Sequence, residues 1–209
     1  MNYRQIGITA AILLLFAVLG TALVVATYQG TREQIAANER ATLLRKLNQL
    51  VAPDSYDNSL LDDSFELPAG ALADRPLRVY RARLQGRPVA MVMNTIAPDG
   101  YSGSIYLLVG IGFDGRVVGV RVVAHHETPG LGDGIDEERS DWILSFNGRS
   151  LDDPPSGRWA VRKDGGVFDQ FTGATITPRA VVEAVHAALL YFRAHRDELF
   201  AAPAAAEQP

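Results

Sequence analysis

The 209-residue chain contains no cysteine, which excludes disulfide bonds, iron–sulfur ligation and thiolate catalysis. Histidine is scarce as well: the four present have no spacing typical of a zinc site, so a zinc centre is not expected. Basic residues form no block, and 20 Lys and Arg against 24 Asp and Glu give a net charge of -4. We therefore expect no nucleic-acid partner and no metal site.

Charge is also missing from one long stretch near the N-terminus. No charged side chain lies between Arg4 and Arg32, and the apolar residues 6–28 are enough to cross a hydrocarbon core of roughly 30 Å. A cleaved signal peptide is the alternative, but its apolar region is usually about 7–15 residues long. The sequence therefore predicts a retained, single-pass membrane anchor at residues 1–30. Basic residues flank both ends, so the positive-inside rule leaves the orientation open.

The next segment, residues 31–76, is predicted to be an amphipathic helix followed by an acidic loop. Apolar residues recur at helical spacing through residues 31–51, and Pro53 would end the helix. This helix would pack on the domain or on a partner. The stretch "PDSYDNSLLDDS" is rich in turn-forming and acidic residues, which is typical of a surface loop.

Residues 77–195 are predicted to form one domain, and its first part is rich in β-strand candidates. Four strands are predicted at residues 77–84, 87–94, 104–112 and 116–124, with turns at Gln85-Gly86 and Asp114-Gly115. A short helix is expected at residues 137–148, and a further hairpin at residues 158–172. The fold class is therefore α+β, with an antiparallel sheet and flanking helices.

The last helix is predicted from Pro178 to Arg193, with Thr177 as its N-cap. Residues 196–209 are expected to be a disordered tail. Free N–H groups at this helix start attract a phosphate, Gly173 and Ala174 leave room for one, and Thr175 offers a hydroxyl. The residues alone leave two equal interpretations, a phosphate-binding site or a simple helix cap.

A second segment, "AHHETPGLGDGID", contains a glycine-rich loop. His125 and His126 are adjacent at a strand end, so their side chains point to opposite faces and do not suit one metal. The glycines at positions 130, 132 and 134 let a bulky group approach the main chain closely. An ordinary glycine-rich connection explains the pattern equally well. No βαβ unit surrounds it, so it is not a dinucleotide-binding loop.

Two motifs together resemble one protein family. The stretch "TGATITPRAVV" at residues 172–182 resembles the attachment motif of the covalent FMN-binding domain family. The stretch "HHETPGLGD" at residues 125–133 is similar to a second signature, that of the G subunits of Rnf (Rsx)-type ion-translocating electron transport complexes. The resemblance extends from the anchor to Arg193. The C subunits of sodium-translocating NADH:quinone oxidoreductases share this architecture and are the near alternative.

The resemblance implies that Thr175 carries FMN through a phosphoester bond. A separate magnesium-dependent flavin transferase would make that bond, using FAD as donor and releasing AMP. This agrees with the local sequence, because a threonine hydroxyl needs activation and no histidine or lysine lies beside Thr175. The transferase would recognise Asp169, Gly173, Ala174 and Thr175.

The resemblance also implies which residues surround the cofactor. Four residues would shape and bond the phosphate pocket: Thr172, Gly173, Ala174 and Thr177. Three residues of the glycine-rich loop would approach the flavin ring and tune its potential: Glu127, Thr128 and Leu131. No residue of this chain is expected to be catalytic in its own right.

The function implied is an electron relay within a membrane complex that couples ferredoxin and NAD(H) oxidation–reduction to ion movement. Its partners would be the other proteins of the complex, the transferase and the membrane, with the flavin domain on the periplasmic side of the bacterial inner membrane. Two alternatives remain open. One is a stand-alone anchored periplasmic flavin reductase, and the other is an anchored binding module without redox chemistry.

Overall fold

A computed structural model describes residues 3–201. The first two residues of the predicted anchor and residues 202–209 of the predicted tail lie outside this range. The described chain divides into two compact units between Leu43 and Leu44. The expected α+β class is confirmed, with a long apolar N-terminal helix, an antiparallel sheet and a further helix.

The first unit is the greater part of one α-helix. α1 runs over Tyr3–Asn48, so the helices predicted for the anchor and for residues 31–51 are a single element, which no proline interrupts. Residues 6–28 would span about 35 Å at 1.5 Å per residue, enough to cross a membrane core of about 30 Å. Among residues 3–201, this is the only helix long and apolar enough to do so.

The second unit is built on a five-stranded antiparallel sheet whose strands follow chain order. The four predicted strands are present: β2 (Leu77–Leu84), β3 (Arg87–Ala97), β4 (Ile105–Gly112) and β5 (Val117–Ala124). Gln85 and Gly86, with φ of 52° and 74°, form the tight turn between β2 and β3. The sequence missed β1 (Ser64–Leu67), which pairs with β2 at the edge of the sheet.

The central part of the sheet is buried on both faces. On one face, side chains such as Val109 of β4 join the main core with the last helix of the chain. On the other face, Gly110 of β4 is paired with Gly119 of β5, and Leu50 lies against this pair. A Cβ at Gly119 would lie 2.9 Å from Leu50 Cδ2. Leu50 can therefore pack at this position because Gly119 has no side chain. The turn that follows α1 thus packs on the face of the sheet opposite the last helix.

The last helix, α2, begins earlier and ends later than predicted, at Ile176–Ala201. Thr177 is therefore not the N-cap, and Pro178 is not the first helical residue. The backbone N–H of Arg179 donates to the carbonyl of Thr175 at 3.2 Å, which makes Thr175 the residue that caps the helix by position. Because the start shifts, the Thr177 side chain lies inside the first turn and is available for other contacts.

Two arginines of β2 hold the C-terminal end of α2, which explains its greater length. Arg81 donates to the carbonyl of Leu199 at 3.3 Å, and Arg83 donates to the carbonyl of Phe200 at 2.6 Å. These carbonyls would otherwise lack partners at the helix end. Asp63 accepts from both guanidinium groups, at 2.7 and 2.8 Å, and balances their charge.

The segment between β5 and α2 contains short 3₁₀-helices instead of regular elements. The helix expected at residues 137–148 is a 3₁₀-helix at Asp141–Phe146. The hairpin predicted at residues 158–172 is wrong. Val161 and Phe168 form only a single bridge, and that bridge is parallel. The alternation of apolar residues there reflects side chains buried in the core instead of a ladder of paired strands.

Aromatic packing holds this irregular segment against α2. Trp159 packs on Phe168, with ring centroids 5.2 Å apart. On its other side, His186 of α2 stacks on Trp159 at 5.5 Å with an interplanar angle of 8°. The His186 Nε2 atom lies 2.7 Å from the Ser156 hydroxyl. The half-buried histidine therefore joins the helix to the 3₁₀ segment.

Replacing His186 with Phe should flatten the dependence of stability on pH. Burial, with a further contribution from the charge of Arg193, lowers the pKa of His186 below its usual 6.5. The unfolded chain therefore takes up this proton more readily, so the stabilising contribution is complete above about pH 6.5 and is lost as the pH falls through the lowered folded value. Chemical denaturation of the full chain in detergent should show the wild type losing more stability than His186→Phe between about pH 7.5 and 5.

The matched control is His126→Gln, which replaces an exposed histidine outside the contact with Trp159. A His186→Phe variant with the same loss of unfolding free energy at low pH as the wild type would contradict this assignment.

Candidate functional site

Three loops of the second unit meet around one cavity of about 320 Å³. They are the tyrosine loop (residues 98–104), the glycine-rich loop (residues 127–134) and the threonine loop (residues 171–177). The volume is within the usual range of small-ligand pockets, about 300–1,000 Å³. The cavity is lined by Tyr101, Glu127, Thr128, Leu131, Gly132, Gly173, Ala174, Thr175, Ile176 and Thr177.

The threonine loop is a tight turn that delivers Thr175 to the cavity. The N–H of Ala174 donates to the carbonyl of Phe171 at 3.2 Å, and Gly173 between them has a φ of 82°. A side chain would be strained at that position, so glycine is required there. A Cβ on Gly173 would also lie 3.6 Å from Leu131 Cδ2, which shows how closely the two loops pack.

Thr175 places its hydroxyl group at the N-terminus of α2. The N–H groups of the first turn of α2 have no partner within the helix, and they carry the positive end of its dipole. The side chain is half-buried and lines the cavity. Within residues 3–201 no hydrogen bond engages its hydroxyl. This arrangement suits the oxygen of a phosphate group.

Glu127 is a buried carboxylate that joins the three loops. Its side chain is 4% exposed. One oxygen accepts from the backbone N–H of Ser102 in the tyrosine loop at 3.0 Å, and the other accepts from the hydroxyl of Thr177 in a very short hydrogen bond. The Thr177 hydroxyl, expected to bond the phosphate, is therefore engaged with Glu127 instead. Both carboxylate oxygens have a partner, as a buried charge requires.

His125 holds the backbone of Glu127. Its Nδ1 atom accepts from the Glu127 N–H at 2.9 Å, and its Nε2 atom lies 2.9 Å from the Asp136 carboxylate. The acceptor role of Nδ1 places the ring proton on Nε2, where it donates to Asp136. His125 is thus a supporting residue at the end of β5.

Two glycines of the glycine-rich loop, Gly132 and Gly134, are required by close packing. A Cβ at Gly132 would lie 2.7 Å from Glu127 Oε2 and 3.0 Å from Thr177 Oγ1. A Cβ at Gly134 would lie 3.1 Å from the Phe171 ring. Gly132 has an ordinary φ of -91°, so its requirement is one of space and not of backbone conformation.

Two predicted residues lie away from the cavity. Thr172 is exposed and lines a neighbouring open depression, together with Gly130, Leu131 and Phe171. Asp169 is exposed and pairs with Arg162 at 3.0 Å. Its position on the surface leaves its side chain accessible to another protein.

One charged pair lies one turn beyond Thr175. Arg179 donates to both oxygens of Asp164, at 2.7 and 3.1 Å. These hydrogen bonds from Arg179 lower the pKa of the Asp164 carboxyl. The positive charge in the first turn of α2 is therefore balanced by a carboxylate outside the cavity.

The sequence did not point to two of the lining residues, Tyr101 and Ile176. Ile176 is the residue after Thr175, and its side chain has no group that could bond a phosphate. Tyr101 lies in a hairpin loop between Gly100 and Gly103, with nothing local to link it to Thr175. The only available signal was an aromatic residue flanked by glycines in a turn.

Replacing Gly132 with Ala should disrupt the contact between Glu127 and Thr177. The added methyl group overlaps both side chains, and such overpacking typically costs about 1–3 kcal/mol. Chemical denaturation of the full chain should measure this loss as a lower free energy of unfolding. Gly157→Ala is the matched control, because a Cβ there meets no atom within 4 Å. Equal stability of the two variants would show that the site has room for a side chain at Gly132.

Comparisons with known proteins agree with this geometry. Residues 100–190 match the FMN-binding domain family, and residues 1–50 match the RnfG N-terminal region. The chain is similar to the G subunit of the ion-translocating oxidoreductase complex of Pseudomonas aeruginosa, with 52% identity over 94% of this chain and 93% of that protein. The proteins of the same name from Pseudoalteromonas atlantica and Shewanella loihica are 50% and 48% identical, over 91% and 98% of this chain and 90% and 97% of theirs. The chain therefore belongs to the family of RnfG proteins, the G subunits of ion-translocating oxidoreductase complexes.

Proposed function

We propose that this chain is the electron-transfer subunit of an ion-translocating oxidoreductase complex and that it carries FMN covalently on Thr175. The observation that carries the proposal is the Thr175 hydroxyl. It lies without a hydrogen-bond partner among residues 3–201, at the start of α2, in a cavity within the segment that matches the FMN-binding domain family.

The residues present fit FMN. At the threonine loop, the hydroxyl of Thr175 and the free amides of the first helical turn suit a phosphate. Beside them, the apolar side chains of Leu131 and Ile176 line the same cavity and are 49% and 45% exposed. A ligand that joins a phosphate to a flat apolar ring matches this combination of groups.

The phosphoester bond requires activation from outside the chain. Among the lining residues the only carboxylate is Glu127, and both of its oxygens are engaged with Ser102 and Thr177. No general base is therefore free to take the proton of Thr175. A flavin transferase would supply the base and a magnesium ion. The threonine oxygen would attack the phosphorus on the riboflavin side of FAD, AMP would leave, and the hydroxyl proton would pass to the transferase.

When bound, FMN supplies reversible uptake and release of electrons. The residues of the chain bind and orient it. Thr175 fixes the phosphate, and Gly173 and Ala174 allow it to approach the backbone. Glu127 keeps the three loops together, so that the cavity retains its shape. No residue of this chain carries out a chemical step of its own.

Membrane attachment and assembly complete the proposal. α1 would anchor the chain in the bacterial inner membrane, with the flavin domain in the periplasm and the other proteins of the complex as partners. Electron flow between ferredoxin and NAD(H) would pass through this domain and be coupled to ion movement. Co-purification with several polytopic membrane proteins would support this role over that of a stand-alone periplasmic flavin reductase.

The attachment site can be tested by intact mass. Full-length chain produced together with a flavin transferase should gain the mass of one FMN less one water, because the group that FAD transfers as AMP leaves is FMN without the elements of water. Chain produced without the transferase should gain none. Thr175→Ala should remain unmodified in both cases, since the nucleophilic hydroxyl is removed.

Thr172→Ala is the matched control, because Thr172 lies in the same loop but outside the cavity. It should gain the FMN mass as the wild type does. A wild type that gains no mass with active transferase would leave the threonine loop as a binding module without redox chemistry.

The orientation can be tested by cysteine labelling, since the chain has no cysteine of its own. The exposed residue Asp74 lies in the second compact unit, which contains the segment that matches the FMN-binding domain family, and Gln5 precedes the apolar segment. Asp74→Cys should react with a membrane-impermeant maleimide in intact cells, whereas Gln5→Cys should react only after lysis. The reverse pattern would place the flavin domain in the cytoplasm.

A further inference from the structure

We propose that Tyr101 is the aromatic platform on which the flavin ring packs, an inference that rests on the proposed function. Tyr101 lines the same cavity as Thr175 and is the only aromatic side chain among the lining residues. Its side chain is 69% exposed, although it lies on a loop fixed by backbone contacts. An exposed ring beside a ligand cavity is available for stacking.

The exposed apolar surface of the cavity supports this role. Tyr101, Leu131 and Ile176 are all large, all more than 40% exposed, and all line one cavity, although they come from three loops. Convergence of exposed apolar side chains at one place is typical of a ligand site. Aromatic rings prefer offset stacking against other flat rings. A tricyclic flavin ring therefore suits Tyr101, with the aliphatic side chains as further walls.

The backbone of the tyrosine loop is fixed while the ring is free. The Ser102 N–H donates to Glu127, and the Gly103 N–H donates to the Gly100 carbonyl at 3.4 Å. A Cβ on Gly100 would lie 2.3 Å from the Gly103 carbonyl oxygen and 2.9 Å from Glu127 Oε1, so only glycine fits. Gly103 has a φ of 117°, which also favours glycine. The loop thus presents Tyr101 in one place before any ligand binds.

Glu127 links the position of Tyr101 to the threonine loop. Its two carboxylate oxygens bind Ser102, beside Tyr101, and Thr177, two residues after Thr175. One side chain therefore sets where the aromatic ring stands relative to the threonine. In the assembled site, the phosphate end of FMN would be fixed by the bond to Thr175, and the ring end by contact with Tyr101.

The test is fluorescence of the loaded full-length chain, with one FMN per chain verified by intact mass in every variant. A phenol ring in contact with flavin quenches its fluorescence, and a fixed ring gives high fluorescence anisotropy. Tyr101→Leu should therefore raise the flavin fluorescence yield, since the quenching phenol is gone, and loss of a contact of about 1 kcal/mol should lower the ratio of packed to free flavin ring roughly fivefold. The fluorescence anisotropy of Tyr101→Leu should fall.

Tyr101→Phe should keep the high anisotropy of the wild type, because a phenyl ring stacks equally well. Its flavin fluorescence yield should be higher than that of the wild type, because a phenyl ring quenches flavin poorly.

Tyr191→Leu is the matched control, because Tyr191 lies about 24 Å along α2 from Thr175 at 1.5 Å per residue. It should leave fluorescence yield and anisotropy at wild-type values. Attached FMN with an unchanged yield and anisotropy in Tyr101→Leu would overturn the role of Tyr101 and leave the attachment to Thr175 intact. A wild-type chain without added FMN mass would overturn both.

Discussion

The site depends on one buried carboxylate, Glu127. A carboxylate at 4% exposure is costly unless both oxygens are bonded, and here each oxygen takes a donor from a different loop. Hydrogen bonds to a charged group typically contribute about 1.5–3 kcal/mol each, so the pair of contacts is strong enough to fix the loops together. Gly132 is a glycine because this carboxylate occupies the space that its side chain would need, and at Gly100 the carboxylate adds to a closer clash with the Gly103 carbonyl oxygen.

α2 connects the site to the sheet, because hydrogen bonds hold both ends of the helix. Thr177 in the first turn donates to Glu127, and the carbonyls of Leu199 and Phe200 in the last turn accept from arginines of β2. Between these ends, the buried face of the helix packs on the sheet. The helix N-terminus beside Thr175 is therefore held at a constant position relative to the sheet.

The sequence predicted what depends on local pattern and missed what depends on distant contacts. Alternation with period two identified β2 to β5, whereas β1 is only four residues long and its pairing with β2 is not a local property. The threonine loop was identified because its motif is contiguous. Tyr101 was not, because its loop reaches the site through Glu127, 25 residues beyond Ser102 and 50 before Thr177. The hairpin predicted at residues 158–172 is wrong because Trp159 and Phe168 are buried in the core. Their burial gives the segment a pattern of apolar residues that resembles that of a strand.

The composition of the cavity gives a physical reason for the covalent bond that we propose. None of the lining residues is lysine or arginine, and Arg179, in the first turn of α2, is paired with Asp164. A phosphate held only by a helix N-terminus gains about 0.3–1 kcal/mol at an exposed site. Retention at nanomolar affinity requires about 12 kcal/mol. The stacking surface at Tyr101 and the aliphatic walls are open to solvent and would supply only part of this difference. A phosphoester to Thr175 would make retention independent of affinity, and it would leave the ring end of the cavity free to stay exposed for electron exchange.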